Sequence, residues 1–366
     1  MVLKENIKNI WAQWHWALLG LAALLLRFVA DTTPQYVEQF YSRGVFLGVR
    51  WLFDWTLAWL PFPLLLVFYG VALYYVYKFV RTLFIKQIPF RKRLAVSGRN
   101  VLNFAGFLIF SFLMLWGYNY ARPSFSKQLG ITIEQPDAVA LRQELEIAAQ
   151  EAISARKIIE NAPLPIGSGQ SRTERFSRDF EDKMRADVSN FLEKNNFKAG
   201  GRLRGRQISP DGLLFRFGIS GIYMPFIGES SIDAALHPLE KPFTMAHELA
   251  HGYGWTEEAT ANFVGYLACI HSSDNFTRYS GLISYYRYVA SNYKRTNPTE
   301  YAAFRVQLPE DFRNDLEAIN QRLAQYPTWF STDKLNDIFL KSQGVTEGVA
   351  SYSRIVVLVY SWRKKK

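Results

Sequence analysis

Three uncharged apolar runs crowd the first third of this 366-residue chain, and they constrain its architecture more than any other feature. Ile10 to Leu26 holds no Asp, Glu, Lys or Arg and continues past Arg27 to Ala30; Trp59 to Tyr77 and Val101 to Gly117 are equally free of charge. Each approaches the roughly 20 residues that a helix needs to cross the hydrocarbon core of a bilayer. One such run is compatible with a buried helix of a large soluble protein. Three in succession, with Trp and Tyr at their ends, point to membrane spans over about 11–30, 59–78 and 100–118. The first run is too long for a removed signal peptide and lacks a small-residue cleavage site, so it reads as an anchor.

Loop charge orients the spans. The segment 79–99 together with Lys78 carries Lys78, Arg81, Lys86, Arg91, Lys92, Arg93 and Arg99 and no acid. The positive-inside rule makes this loop cytoplasmic, puts the N-terminus on the same side, and leaves everything after Tyr118 outside. Between the first two spans, Phe46, Leu47, Trp51, Leu52 and Trp55 suit an interfacial amphipathic helix over about 40–57. The net charge of +11 owes seven cations to the basic segment and four to the terminal Arg363-Lys-Lys-Lys366, so the lipid bilayer and not nucleic acid is the expected partner. A single cysteine, Cys269, excludes an intramolecular disulfide framework.

Asn119 to Pro123 marks the exit from the membrane, and residues 121–366 form a second domain. Apolar residues at three-to-four spacing predict amphipathic helices over 136–161 and 171–195, separated by a Pro/Gly linker at 163–169. The Gly/Arg-rich segment 198–212 reads as a surface loop with its cations facing solvent or headgroups. Residues 219–234 hold short β-prone runs around Pro225 and Gly228, a small hairpin or edge pair that is either a peptide-binding platform or purely structural. Further helices are expected over 275–293, 297–307, 310–324 and 347–362. The fold class is therefore mainly α (α+β): three N-terminal transmembrane helices, then a mostly helical domain with a small sheet.

Chemistry concentrates in Thr244-Met-Ala-His247-Glu248-Leu-Ala-His251-Gly-Tyr-Gly-Trp-Thr-Glu-Glu258-Ala-Thr-Ala-Asn262. Residues i and i+4 share a helix face, so His247 and His251 can converge on one cation, with Glu248 beside them as general base. HExxH alone is a short pattern that also occurs on solvated helix faces. Here it lies in a plausible helix closed by Gly252 and Gly254, and a second helix is expected to start near Trp255 or Thr256. Catalytic zinc takes three protein ligands, and Glu258 is the candidate third. Asn262, one turn on, is placed to orient a ligand. His237 and His271 lack ligand spacing. Tyr223, Tyr352 and Arg354 are candidate substrate or oxyanion contacts.

With Glu38-Gln-Phe-Tyr-Ser-Arg-Gly44, Gly221 to Glu229 and Pro242 to His251, the chain resembles a bacterial family of uncharacterised multi-pass membrane proteins whose extracytoplasmic domain looks like a gluzincin-type zinc peptidase. Glu258 to Asn262 is similar to the Glu-x-x-Ala-Asp element that supplies the third ligand in membrane gluzincins, with Asn262 in place of the acid. The resemblance transfers no activity of its own; the motif and the topology together lead to the expectation of a zinc-dependent metallopeptidase of the bacterial inner membrane, with a peptide or protein substrate. An intramembrane protease is disfavoured by Glu240, Lys241, Glu257 and Glu258 around the motif. The alternative is a non-catalytic membrane protein with a structural or vestigial zinc site, whose outer domain binds an envelope partner.

Overall fold

The computed structural model describes residues 2–83, 89–160, 178–329 and 354–365. The chain divides into two compact units, Met1–Pro123 with Met224–Ile227, and Ser124–Tyr223 with Gly228–Lys366.

The first unit contains α1 (Val2–Thr32), α2 (Phe46–Thr56), α3 (Leu64–Leu83) and α4 (Phe90–Leu115). Within α1, α3 and α4, Trp11–Thr32, Leu64–Arg81 and Arg91–Leu115 are long and apolar enough to cross a membrane. Leu25, Phe28, Leu73 and Leu102 leave large apolar faces uncovered by the chain, as helices that meet lipid do. Two boundaries differ from expectation. The second span starts at Leu64 and not Trp59, because Pro61 and Pro63 hold residues 57–63 in turns. The third helix starts at Phe90, after Pro89 at its N-cap, so Arg91 to Arg99 are helical and not part of a loop. Arg and Lys are good helix formers; the hydropathy pattern marks where charge gives way to apolar surface and is silent about where the helix begins.

Helices α1 and α4 touch backbone to backbone. A Cβ added at Gly106 would stand 2.3 Å from the Trp16 carbonyl oxygen, and one at Gly20 2.5 Å from Gly106 Cα. Small residues permit such approach in spans, and polar side chains then lock it. Asn103 does so here: its Nδ2 donates to Gln13 O at 2.8 Å and its Oδ1 accepts from Ala17 N at 3.2 Å. Between the spans the chain is helical from Pro34, with π-type turns over Val37–Val45 leading into α2. Phe46 and Arg50 face inward while Phe40, Trp51, Leu52 and Trp55 face out, the split expected of an interfacial helix. Glu38 accepts two hydrogen bonds from Arg122, which ties this segment to the exit from α4.

The second unit contains α5 (Ala138–Glu160), α6 (Arg178–Lys194), β1 (Arg204–Ile208), β2 (Gly221–Met224), β3 (Glu229–Asp233), α7 (Lys241–Gly252), α8 (Glu258–Ile270), α9 (Asn275–Thr296), α10 (Pro298–Gln307), α11 (Glu310–Ala324) and α12 (Ile355–Lys365). The expected linker 163–169 and the first part of the expected helix 347–362 lie outside the described residues. Strand order is β1-β3-β2, with β1 parallel to β3 in the register Arg204↔Glu229 to Ile208↔Asp233. β2 joins β3 through four residues, which only an antiparallel pair allows, and it forms one edge of the sheet.

β1 corrects the reading of 198–212 as a loop. Arg204 is buried, not solvated, and its Nε donates to Glu229 Oε2 at 2.8 Å. A buried cation needs a paired anion, and the anion lies 25 residues downstream, beyond any local pattern. Of the terminal cations, Arg363 pairs with Glu151 and Glu144, Lys364 with Glu134, and Lys365 donates to Leu129 O, while Lys366 lies outside the described residues.

α8 is the central helix. It packs on α6, α7, α9 and α12, and its Ala259, Phe263, Val264, Tyr266 and Leu267 are all buried. A helix apolar on every side belongs in a core. Gly265 brings it close to α7, since a Cβ there would lie 3.1 Å from His247 N. That close approach carries α8's first turn to the histidines.

Candidate metal centre

α7 begins at Lys241 with Pro242 in its first turn, where a missing N–H costs nothing, and Thr244 Oγ1 donates to Glu240 O. The i, i+4 spacing brings His247 Nε2 and His251 Nε2 to 3.1 Å, their rings nearly perpendicular. After Gly252 the chain turns back through Gly254, at φ +86°, a left-handed conformation that favours glycine. Trp255 pins the turn by packing edge-on against Phe125 and Phe197. α8 then starts at Glu258, two or three residues later than expected: Trp255 to Glu257 are extended or capping, and Glu257 serves as N-cap while its carboxylate accepts from Thr260 Oγ1.

Starting α8 at Glu258 aims that side chain back at α7. Its Oε2 lies 3.2 Å from His247 Nε2 and 3.5 Å from His251 Nε2. Ligand atoms of His247, Glu248 and His251 also lie within 4.8 Å of one another. Glu258 is the better third donor, because one of its oxygens is close to both imidazole nitrogens that face inward. The three atoms form a triangle with edges of 3.1, 3.2 and 3.5 Å. Three ligands of a tetrahedral zinc at about 2.0–2.1 Å stand about 3.3 Å apart, so the spacing of these donors fits such an ion.

Each histidine is held from behind. His251 Nδ1 donates to Trp255 O at 2.7 Å, and since a carbonyl only accepts, neutral His251 keeps its Nε2 lone pair for the centre. His247 Nδ1 faces Asn262 Oδ1 at 2.8 Å. Burial and Glu258 set the local field. Burial alone would depress the His251 pKa, but the Glu258 carboxylate outweighs it and pushes it up to about 9. Glu258 is held well below the carboxylate range, as His251 and His247 overcome the cost of its burial. The Glu258 and Glu248 carboxylates thus favour positive charge between the imidazoles, whether proton or metal.

Glu248 lies against β2. Burial, opposed by the two histidines and reinforced by Glu258, raises its pKa to about 7, and the Tyr223 backbone N–H donates to its carboxylate. A Cβ at Gly221 would stand 2.5 Å from Glu248 Oε1, so only glycine leaves room for the carboxylate. Ser230 Oγ, on β3, donates to Glu248 O and fixes the sheet to the helix.

Of the other residues singled out in the sequence, Tyr223 contributes its backbone and buries its ring. Arg354 reaches Glu257 at 3.4 Å, and Tyr352 lies outside the described residues. His237 Nδ1 accepts from Leu239 N, and His271 Nδ1 faces Leu267 O. One residue with no local sequence signal joins the site: Tyr288, on α9, donates its hydroxyl to Asn262 Oδ1 at 3.1 Å. Only the packing of α9 on α8 brings it there.

The chain belongs to a family described as protein of unknown function (DUF3810), whose model matches residues 41–360. No curated protein and no solved structure matches the chain.

Proposed function

We propose that this member of the DUF3810 family is a membrane-anchored zinc metallopeptidase of the bacterial inner membrane, with its N-terminus cytoplasmic and its second unit on the outer face. The observation that carries the reading is the triangle of His247, His251 and Glu258 donor atoms at the edge lengths of a tetrahedral site, with a buried Glu248 beside it. Zinc held there would act as a Lewis acid toward a peptide carbonyl and make water acidic enough to lose a proton near neutrality. Glu248 takes that proton and returns it to the leaving amine, a task suited to a buried carboxylate held beside the donor triangle. The edge strand β2, whose Gly221 and Tyr223 lie against Glu248, offers a backbone on which an extended peptide can add as a strand.

A non-catalytic reading, in which the centre is structural and the outer unit binds an envelope partner, is favoured by one observation: the residue behind His247 is an amide, Asn262, and an amide cannot stabilise an imidazolium as a carboxylate does. Detergent-purified protein separates the two. One zinc per chain by elemental analysis, with cleavage of a peptide library that Glu248→Gln abolishes, supports the peptidase. Zinc without Glu248-dependent cleavage supports the binding protein, and absence of zinc refutes both. Reporter fusions after Pro89 and after Phe125 should report opposite sides of the membrane; the same side for both refutes the orientation.

A further inference from the structure

The side chain that steadies His247 has one accepting end where a carboxylate has two. Asn262 is buried, its Oδ1 accepts from both His247 Nδ1 and Tyr288 Oη, and its Nδ2 has no hydrogen-bond partner among the described residues. Nothing described holds the amide by its nitrogen, and the terminal torsion of an asparagine is broad and roughly two-fold. Its orientation therefore rests on the two donors that reach its oxygen. One of them, His247, is the group that has to be oriented. The other, Tyr288, comes from a different helix, and its ring lies beside Phe243 of α7, with centroids 6.2 Å apart.

We infer that Tyr288 is a positioning residue for the metal centre: its hydroxyl pins Asn262 with the oxygen toward His247, which keeps the His247 proton on Nδ1 and leaves Nε2 free to bind a cation. In the reversed amide, Nδ2 would face both Nδ1 and the Tyr288 oxygen, a phenol oxygen that accepts less well than its O–H donates, and His247 would have to carry its proton on Nε2, where it cannot ligate. A carboxylate at position 262 has no wrong orientation, because either oxygen accepts. The need for Tyr288 is thus created by the amide, and Asn262→Asp should remove it. This inference rests on the metal-centre reading above.

The test uses the full-length chain in detergent and Zn2+ as the probe, with affinity measured by competition against a chromophoric chelator. Tyr288→Phe is expected to weaken Zn2+ binding by about 5- to 10-fold. Asn262→Asp should bind at least as tightly as the wild type, and the double variant should match Asn262→Asp within about twofold. The ligand-field spectrum of the Co2+-loaded protein gives a second readout: Tyr288→Phe should alter it and the added Asn262→Asp restore it, a rescue that a merely structural role for Tyr288 would not produce. No Zn2+ binding by the wild type overturns the metal-centre reading, and the inference with it. Wild-type binding that Tyr288→Phe leaves unchanged overturns the inference alone. An equal loss from Tyr288→Phe in the wild-type and Asn262→Asp backgrounds also overturns it, because Tyr288 would then not act through the amide; if Asn262→Asp fails to accumulate, the comparison of Tyr288→Phe with the wild type decides.

Discussion

Gly221→Ala should separate metal binding from catalysis. The added Cβ would lie 2.5, 2.8 and 2.9 Å from Oε1, Cγ and Cδ of Glu248, whereas ordinary contact begins at 3.4 Å. The carboxylate must therefore withdraw by up to 0.9 Å, or β2 must move by as much. Forcing an extra methyl into a packed site costs about 1–3 kcal/mol. For a unit of this size that lowers the thermal midpoint by roughly 2–10 °C. Misplacing a catalytic group by about 1 Å costs on the order of 10²-fold in rate. The three atoms nearest the added methyl all belong to Glu248 and none is a metal donor. The expected result is zinc stoichiometry unchanged, a modest fall in the melting midpoint, and kcat/KM on a cleaved peptide about 100-fold down. Full activity and stability in Gly221→Ala would refute the close approach of β2 to Glu248. A fall in activity that tracks loss of zinc would refute the division of labour between Glu248 and the ligand triangle.

Glu258→Gln leaves both imidazoles but removes the anion between them, and Zn2+ affinity measured by chelator competition should fall by more than the roughly 10–100-fold seen for groups that only orient a ligand; an unchanged affinity would move the third ligand elsewhere, with Glu248 the next candidate. Glu229→Gln takes the carboxylate charge away from the buried Arg204 guanidinium and should cost about 3–5 kcal/mol in thermal or denaturant unfolding; a loss below about 1 kcal/mol would mean that the buried Arg204 charge does not depend on Glu229. Burial, opposed by Asp315 and aided by Arg322, Arg287 and Lys241, lowers the His237 pKa from its usual 6.5 to about 4, so the unfolded chain binds a proton that the folded one refuses between those values. Stability should fall as pH drops from about 6.5 to 4 and level off below, with a shallower slope in His237→Gln; identical slopes in urea melts across that window would exclude the histidine as a source.

Period and composition made much of the architecture legible. Three uncharged runs of near-span length have few helical alternatives, and the i, i+4 histidines share a helix face whatever surrounds them. Local chemistry also marked the reversal after α7, where Gly252 and Gly254 cannot easily continue a helix. What failed did so for identifiable reasons. Hydropathy located apolar surface but not helix ends, hence Arg91 to Arg99 inside α4. Arg204 looked like a solvated cation because Glu229, which lets it be buried in a strand, is remote in sequence. The pairing of the basic C-terminus with Glu134, Glu144 and Glu151 is equally invisible to a local window, because those acids reach it only through folding.

The amino-acid order by itself determined the helices, their apolar faces and the pairing of His247 with His251, because periodicity and turn chemistry act over a few residues. Only the tertiary structure decided that Glu258 Oε2 meets both imidazoles, that Gly221 makes room for Glu248, and that Tyr288 reaches Asn262. Those placements depend on how α7, α8, α9 and the sheet edge pack against one another. Such packing reflects the fit of many side chains at once, which no local window of sequence contains.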